Sequence, residues 1–371
     1  MSSTKLNILT LGPRGLEALV TSWGEPKFRY QQIFQWLWKD GAKSFAEMTN
    51  VSKTLRERLE SEYEIRYPRV EREQKSTDGT IKFLLALDDG KTVETVWIPR
   101  ADQDRVTLCV SSQVGCKMAC AFCMTAQQKV ERNLTAGEIA MQVLAMPDRD
   151  KITNVVLMGM GEPFDNYEPV MEALELMTDV KGFNLGPRKI TVSTSGLLPK
   201  MEKFFKETRV RLALSLNAPN NEIRSKIMPV NKAYPVEALI EAIKKNARET
   251  TDKNFFVTIE YILMKGVNDS LDNARELAKL LRGVPCKVNL LLYNENPSLP
   301  FLRPTMNDIE GFRQVLGRNG LLNFIRTSRG RDIAAACGQL ASEHVRDRVA
   351  PGQINPILAA KTPAQELRVS L

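Results

Sequence analysis

Three cysteines fall in one short stretch, Gly115-Cys116-Lys117-Met118-Ala119-Cys120-Ala121-Phe122-Cys123-Met124, and they are half of the six in the chain. Thiols separated by three and then two residues have metal-ligand spacing. Three readings stand open. The first is a zinc site completed by Cys109 or Cys337; the second is an iron-sulfur cluster with one iron left for a substrate; the third is an accidental group of core thiols. Glycine, small residues and polar flanks do not resemble a core strand, which weighs against the third. A free coordination position implies chemistry rather than scaffolding.

Other candidates for chemistry are few. Histidine occurs once, as His344. Multi-histidine zinc catalysis is thereby excluded, and a Ser-His-Asp triad would have to use this residue, which reads as a surface helix position beside Glu343 and Arg346. Glu94 shares a strand face with Val96 and Ile98. Apolar neighbours could raise its pKa and make it a base, but local sequence alone reads it as an exposed strand glutamate. Cys109 and Cys337, taken singly, read as buried, inert thiols.

The 371 residues allow two folded domains plus an accessory segment. With 43% hydrophobic and 26% charged residues the composition is that of a globular protein. A formal charge of +8, from 52 basic and 44 acidic residues, favours a polyanionic partner such as nucleic acid. Neither a leader pattern nor a membrane-length apolar run is visible, so a cytoplasmic location is expected. In that reducing compartment, clustered cysteines bind metal or do redox chemistry more often than they form structural disulfides.

The elements that must position these groups follow from periodicity. Between Leu11 and Ile65 apolar residues recur at helical spacing, and Phe28, Arg29 and Tyr30 with Lys27, Lys39 and Lys43 mix aromatic and basic side chains suited to RNA. Residues 1–67 are expected to form a helical accessory domain. From Thr80 to Ile98 the period becomes two, with a turn at Asp88-Asp89-Gly90, predicting a β-hairpin within an extension over residues 68–103. From Arg105 to Arg329, strands expected at 106–110, 152–158, 189–194, 211–216, 255–263, 287–292 and 323–327 alternate with helices. That predicts a parallel sheet, either doubly wound or a full or partial barrel. Ligands gather beyond the carboxyl ends of such strands. The segments there are the cysteine loop, Gly159 to Pro163, Ser193 to Gly196, Ser215 to Pro219 and Tyr293 to Asn296, all rich in small or hydrogen-bonding residues. The tail, 349–371, reads as loosely ordered.

The C-x3-C-x2-C spacing, Phe122 before the third cysteine and the downstream Gly-Glu-Pro resemble the radical S-adenosylmethionine (radical SAM) enzymes. More narrowly, Cys109-Val-Ser-Ser-Gln-Val-Gly-Cys116, Thr125-Ala-Gln-Gln128, Val155 to Pro163 and Ala335-Ala-Cys-Gly-Gln-Leu340 resemble the RlmN/Cfr family of RNA adenosine methyltransferases. The resemblance implies a partial (β/α) radical SAM barrel over 104–348. It assigns Cys116, Cys120 and Cys123 to a [4Fe-4S] cluster. It assigns Gly161, Glu162, Ser193, Ser215, Leu216, Asn217 and Asn294 to S-adenosylmethionine. Cys337, Glu94 and Cys109 become catalytic.

Carbon 2 of adenine is electron-poor and cannot attack a methyl sulfonium, whereas a thiolate of lowered pKa can. In the family's scheme Cys337 accepts a methyl group from one S-adenosylmethionine. A second, cleaved reductively at the cluster, activates that methyl for addition to the base. Glu94 takes the ring proton, and Cys109 attacks Cys337 to release methylated RNA and leave a disulfide. Implied partners are 23S rRNA, tRNA and a flavodoxin-type electron donor, with no membrane and a monomeric enzyme. The rival within the family methylates carbon 8 instead; a zinc-stabilised RNA-binding protein is the rival outside it. Cys286 has no catalytic role in this scheme and is expected to open a strand. Asn217 stands where the family usually has histidine.

Overall fold

A computed structural model describes residues 5–341; His344 and the segment from Ala350 onward lie outside them. The helical spacing near the N-terminus produces α1 (Gly12–Ser22), α2 (Lys27–Gln35) and α3 (Lys53–Glu62). Beside them β1 (Leu6–Asn7) pairs in parallel with β2 (Tyr63–Glu64). Their apolar faces bury Leu9, Leu16, Ile33, Trp38 and Leu59 in a core that also contains Ala140, Met141 and Leu176 from further along the chain. The helical unit is thus seated on the rest of the protein through shared core, not only through its linker. Of its aromatic-basic cluster, Phe28 is exposed, Tyr30 packs on Phe34 with ring centroids 5.6 Å apart, and Lys39 donates to Val180 O at 2.9 Å.

The expected hairpin is present as β4 (Ile81–Ala86) and β5 (Thr92–Arg100), preceded by a third strand, β3 (Arg69–Lys75). Almost every β3 residue is exposed and most are charged, the usual protection of a sheet edge, so β3 carries no apolar alternation to read. The meander is continuous with the main sheet, because β5 pairs antiparallel with β6 (Arg105–Cys109).

After β6, the two-residue ladder of β7 (Gln113–Val114) with β8 (Arg132–Asn133) closes off the cysteine loop. The alternating units follow: α4 (Ala136–Leu144), β9 (Asn154–Leu157), α5 (Tyr167–Thr178), β10 (Ile190–Thr194), α6 (Leu198–Glu207), β11 (Arg211–Ser215), α7 (Asn221–Ile227), α8 (Val236–Glu249), β12 (Val257–Leu263), α9 (Leu271–Leu280), β13 (Cys286–Leu292), α10 (Met306–Arg318) and β14 (Asn323–Arg326). The sheet runs β14-β13-β12-β11-β10-β9-β6-β5-β4-β3. Every crossover steps to the adjacent strand and none reverses, so the winding is that of a barrel and not of a doubly wound sheet. The described sheet does not close: β14 and β3 are its two edges. Cys286 opens β13. Among the described residues no helix is long and apolar enough to cross a membrane.

Strand alternation decides what the concave side offers. In β12, Val257, Ile259, Tyr261 and Leu263 join the main hydrophobic core, while Thr258 and Glu260 point the other way, into the lumen. Thr135 caps α4 as its sequence predicts: its hydroxyl accepts from Glu138 N at 3.1 Å and Glu138 Oε2 accepts from Thr135 N at 2.9 Å. Next along that helix, Gly137 meets the N-terminal unit so closely that a Cβ there would stand 1.8 Å from Leu9 O. Gly137→Ala must displace one backbone from the other and is expected to cost about 1–3 kcal/mol. Urea denaturation of the purified variant checks this; an unchanged midpoint would mean that the two units do not meet there.

Candidate active site

The cysteine loop hangs from the β7–β8 ladder, with Cys116 N donating to Gln128 O and Ala121 N to Ile227 O. Phe122 and Met124 sink into a small core with Met228, Met264, Tyr293 and Phe301, which orients the loop over the carboxyl ends of the strands. Burial pushes the Cys116 thiol up to about 12 and raises Cys120 and Cys123; Cys123 adds to the shift of both other thiols. The three are electrostatic neighbours. Three thiols on one loop, raised by one another's charge, can serve as ligands to a metal centre.

The strand ends below are fixed by buried polar groups. Gly161 has φ 99, and a Cβ there would lie 2.6 Å from the Gln113 side chain. Gln113 in turn accepts from Glu162 N at 2.9 Å and donates to Asp165 at 2.8 Å. The buried Glu162 carboxylate accepts from Thr194 Oγ1 (2.7 Å), Ser195 N (2.8 Å) and Phe164 N (3.1 Å); burial still raises its pKa. Ser193 and Ser215 face each other across neighbouring strands, their hydroxyls 3.3 Å apart. Leu216 is buried, and its carbonyl accepts from Arg224 Nε at 2.9 Å. Asn217 has φ 57 and directs its side chain into the scaffold, where Oδ1 accepts from Ile262 N at 2.9 Å. The Asn217 side chain therefore ties the end of β11 to β12.

Arg224, fully buried, also donates to Ser195 O at 2.6 Å, and burial lowers its pKa to about 10. Nothing in its short polar helix marks this arginine as buried. Its charge favours ionisation of Cys120.

The chain beyond β14 returns across the open side of the sheet. Asp78 accepts from Gly330 N at 2.9 Å, and Asp332 accepts from Ser76 Oγ at 2.6 Å and Thr77 N at 3.1 Å. Met124 N donates to Gly338 O and Thr125 Oγ1 to Leu340 O, so the returning segment also contacts the cysteine loop. Glu94 is not the exposed residue that local sequence indicates: it is 3% exposed because this segment covers the second face of β5. Its Oε1 lies 3.1 Å from Lys82 Nζ, and its Oε2 accepts from Ala341 N at 2.9 Å. Lys82, equally buried, donates to Ala334 O at 3.2 Å. One buried ion pair thus grips the segment on both sides of Cys337. Asn294 Nδ2 adds a third tie, to Cys337 O at 3.2 Å. Cys109 stands close enough to Cys337 to feel its charge.

This arrangement can now be set beside known proteins. Residues 110–280 match the radical SAM superfamily model, and residues 6–65 match the N-terminal domain model of the ribosomal RNA large subunit methyltransferases. The dual-specificity RNA methyltransferase RlmN of Marinobacter nauticus is 44% identical over 370 residues, covering 96% of this chain and 99% of its own. A radical SAM methyltransferase from Sphaerobacter thermophilus, known by crystal structure, is also 44% identical and superposes with a TM-score of 0.83 over 90% of this chain and 99% of its own. The chain belongs to the RlmN family of radical SAM RNA methyltransferases.

RlmN-family membership implies a [4Fe-4S] cluster and S-adenosylmethionine, and the residues present fit both. The loop offers three thiols and a nearby buried cation, Arg224. Tyr293 OH and Asn294 Oδ1 are buried without hydrogen-bond partners, and Tyr293 is close enough to Cys123 to be shifted by it. Unsatisfied polar atoms beside a ligand loop are what an absent polar ligand leaves behind. Expectation and structure part over Cys337. A methyl-accepting cysteine of the family calls for a lowered pKa, yet surrounding protein raises that of Cys337 although the residue is open to solvent; Arg326 opposes the shift without overcoming it. Cys109 is pushed up to about 12 and is neutral at pH 7.

Two measurements follow from this geometry. Iodoacetamide at pH 7, on cluster-free reduced protein, is expected to label Cys337 and spare Cys109; the reverse order in peptide mass spectrometry would contradict the arrangement. Lys82→Met strands the Glu94 carboxylate and is expected to cost about 3–5 kcal/mol in urea denaturation, with Lys82→Met/Glu94→Leu losing less than the sum of the singles. Strict additivity would show that the pair is not coupled.

Proposed function

We propose that this protein methylates carbon 2 of adenosine in 23S rRNA and tRNA, with Cys337 as the first methyl acceptor and Cys109 as the thiol that releases the product. The observation that carries the reading is that the segment bearing Cys337 is gripped from three directions and held within electrostatic reach of Cys109, far from it in sequence.

In this reading Cys116, Cys120 and Cys123 hold the cluster. Gly161, Glu162, Ser193, Ser215, Leu216, Asn217 and Asn294 form the seat for S-adenosylmethionine. Glu162 does so by fixing the ends of β9 and β10 with its carboxylate and Asn217 by its backbone, since both side chains are engaged with protein. The cofactors supply a methyl group and a one-electron route to activating it once it is on sulfur. The chain does the rest. Asn294 and the Lys82–Glu94 pair fix the backbone on either side of the Cys337 thiol. Arg326 favours its thiolate. Cys109 stays protonated until the end, so it does not compete for the methyl group; as a thiolate it then attacks the Cys337 sulfur, the sulfur–carbon bond breaks, and the departing carbon keeps that electron pair and takes a proton to become the methyl group on the base.

Glu94 is the carboxylate for the adenine proton. Taking that proton removes the charge facing Lys82 and weakens the bond accepted from Ala341 N, so proton removal and loosening of the Cys337 segment are linked. The same reading implies a monomeric, cytoplasmic enzyme supplied by a flavodoxin-type electron donor.

Anaerobic reconstitution followed by nucleoside mass spectrometry of rRNA and tRNA, with position-resolved standards, tests the reading. Expected are 2-methyladenosine from the wild-type enzyme and none from Cys337→Ala. Methylation at carbon 8, or product from Cys337→Ala, would overturn it. Cys109→Ala is expected to accumulate protein crosslinked to RNA.

A further inference from the structure

The lower half of the lumen, toward the amino ends of the strands, has a composition that the chemistry at the cysteine loop does not use. Strand register and alternation put Arg211, Phe256, Glu260, Lys287, Phe324 and Arg326 on the concave face, with Arg105 at the start of β6 across the opening. Phe256 is flanked by Arg211, 4.2 Å from its ring centre, and by Lys287 at 5.2 Å. Phe324 is 50% exposed, unusual for so large an apolar side chain. These cations repel one another. Arg326 disfavours the charge of Arg105, while Arg326, Arg211 and Arg105 all disfavour that of Lys287. Glu260 opposes them from the strands' concave face, with Asp102 acting on Arg105 and Asp252 on Arg211 from the loops; the pKa of Glu260 is raised by burial, and its Oε2 lacks a hydrogen-bond partner, as does Arg105 Nε.

A like-charged group with a buried, unsatisfied guanidinium nitrogen is destabilising unless an anion joins it. Two further observations give direction. The carboxyl ends of the strands are covered by the cysteine loop and the returning segment, joined through Gly338 and Leu340. Arg326 connects the two regions: it acts on Lys287 and Arg105 on one side and on Cys337 on the other. Beside Phe256 and Arg211 there is also an open cavity of about 640 Å³, in which Phe205, Phe255 and Arg209 are accompanied by the carboxylates of Glu207, Glu249 and Asp252.

We infer that single-stranded RNA carrying the target adenosine reaches Cys337 through the amino-terminal mouth of the lumen, with flanking phosphates on Arg105, Arg211 and Lys287 and a neighbouring base stacked on Phe256 or Phe324. Alternating cations and aromatic faces are the means by which single strands are held without sequence readout. The inference rests on the RNA-methylating function proposed above and adds the route and the contacts.

The test uses the reconstituted holoenzyme and a single-stranded RNA containing the target adenosine. Arg105→Gln and Lys287→Gln are each expected to weaken binding severalfold and to lower the slope of log affinity against log salt by about 0.7, the value for one phosphate contact on a single strand. They should raise KM with little change in kcat, and leave the RNA-independent methylation of Cys337 at the wild-type rate. Because each removes one of several repelling charges, neither should lower the melting temperature. Phe256→Leu keeps an apolar side chain while removing the ring and should weaken binding at least about fivefold. Lys279→Gln, on the exposed surface of α9, is the control and should leave affinity and slope unchanged.

Affinity and salt slope equal to the control in both lumen variants would overturn the inference while leaving the functional reading intact. Binding lost together with the melting temperature would also overturn it, because the cations would then be structural. Wild-type enzyme that neither binds nor methylates RNA would instead sink the functional reading.

Discussion

The buried ion pair of Lys82 with Glu94 is the constraint on which the site depends. Neither residue belongs to the parallel barrel; both sit on the antiparallel strands appended to it. Yet through Ala334 O and Ala341 N they determine where the segment after β14 lies, and so where Cys337 stands relative to Cys109 and the cysteine loop. A buried ion pair contributes little net stability once desolvation is counted. What it supplies here is position, because any displacement of the segment leaves a charge buried without its partners. The meander is therefore what positions the segment that carries Cys337.

That dependence also explains which parts were legible from sequence. The parallel strands were, to within about two residues, because each is a short apolar run buried on its helix side. The capping box of Thr135 and Glu138 was legible because its bonds are made within one turn. Lys82 and the burial of Glu94 were not. Alternation along β4 and β5 says only that one face of each strand is apolar; it cannot say that a segment some 240 residues later covers the other face. β3 was invisible for a different reason, since a charged edge strand lacks the signal by which strands are found. Arg224 was hidden because its burial comes from the ends of two other strands, not from the pattern of its own helix.

Asn217 shows the limit of reading roles from motif position. A histidine and an asparagine at one site invite a comparison of ring and amide as ligands. Here the amide faces inward: its Oδ1 accepts from Ile262 N, and its carbonyl accepts from Asn268 Nδ2 at 2.7 Å. The residue's positive φ turns the strand end, a conformation that asparagine adopts more readily than most side chains. The substitution is thus accommodated as turn chemistry, and the cofactor seat loses no titratable group that the scaffold was using.

The charge balance along the lumen connects binding to reactivity. Cys337 is raised by its surroundings and is a poor thiolate in the protein alone; Arg326 is the cation that opposes this. Arg326 also lies 4.0 Å from Glu260 and repels Lys287 and Arg105, so its field at the thiol is shared among competing partners. Phosphates settling on the lower cations would relieve the repulsion there and, lying beside Arg326, would also screen that one cation's field at Cys337. In the proposed reaction, methyl transfer to sulfur therefore belongs before RNA arrives, when nothing screens Arg326. Transfer of carbon to the base belongs after, when the thiolate is no longer needed. The order of events follows from where the positive charge is concentrated, and it requires no moving part beyond the segment that Lys82 and Glu94 already hold.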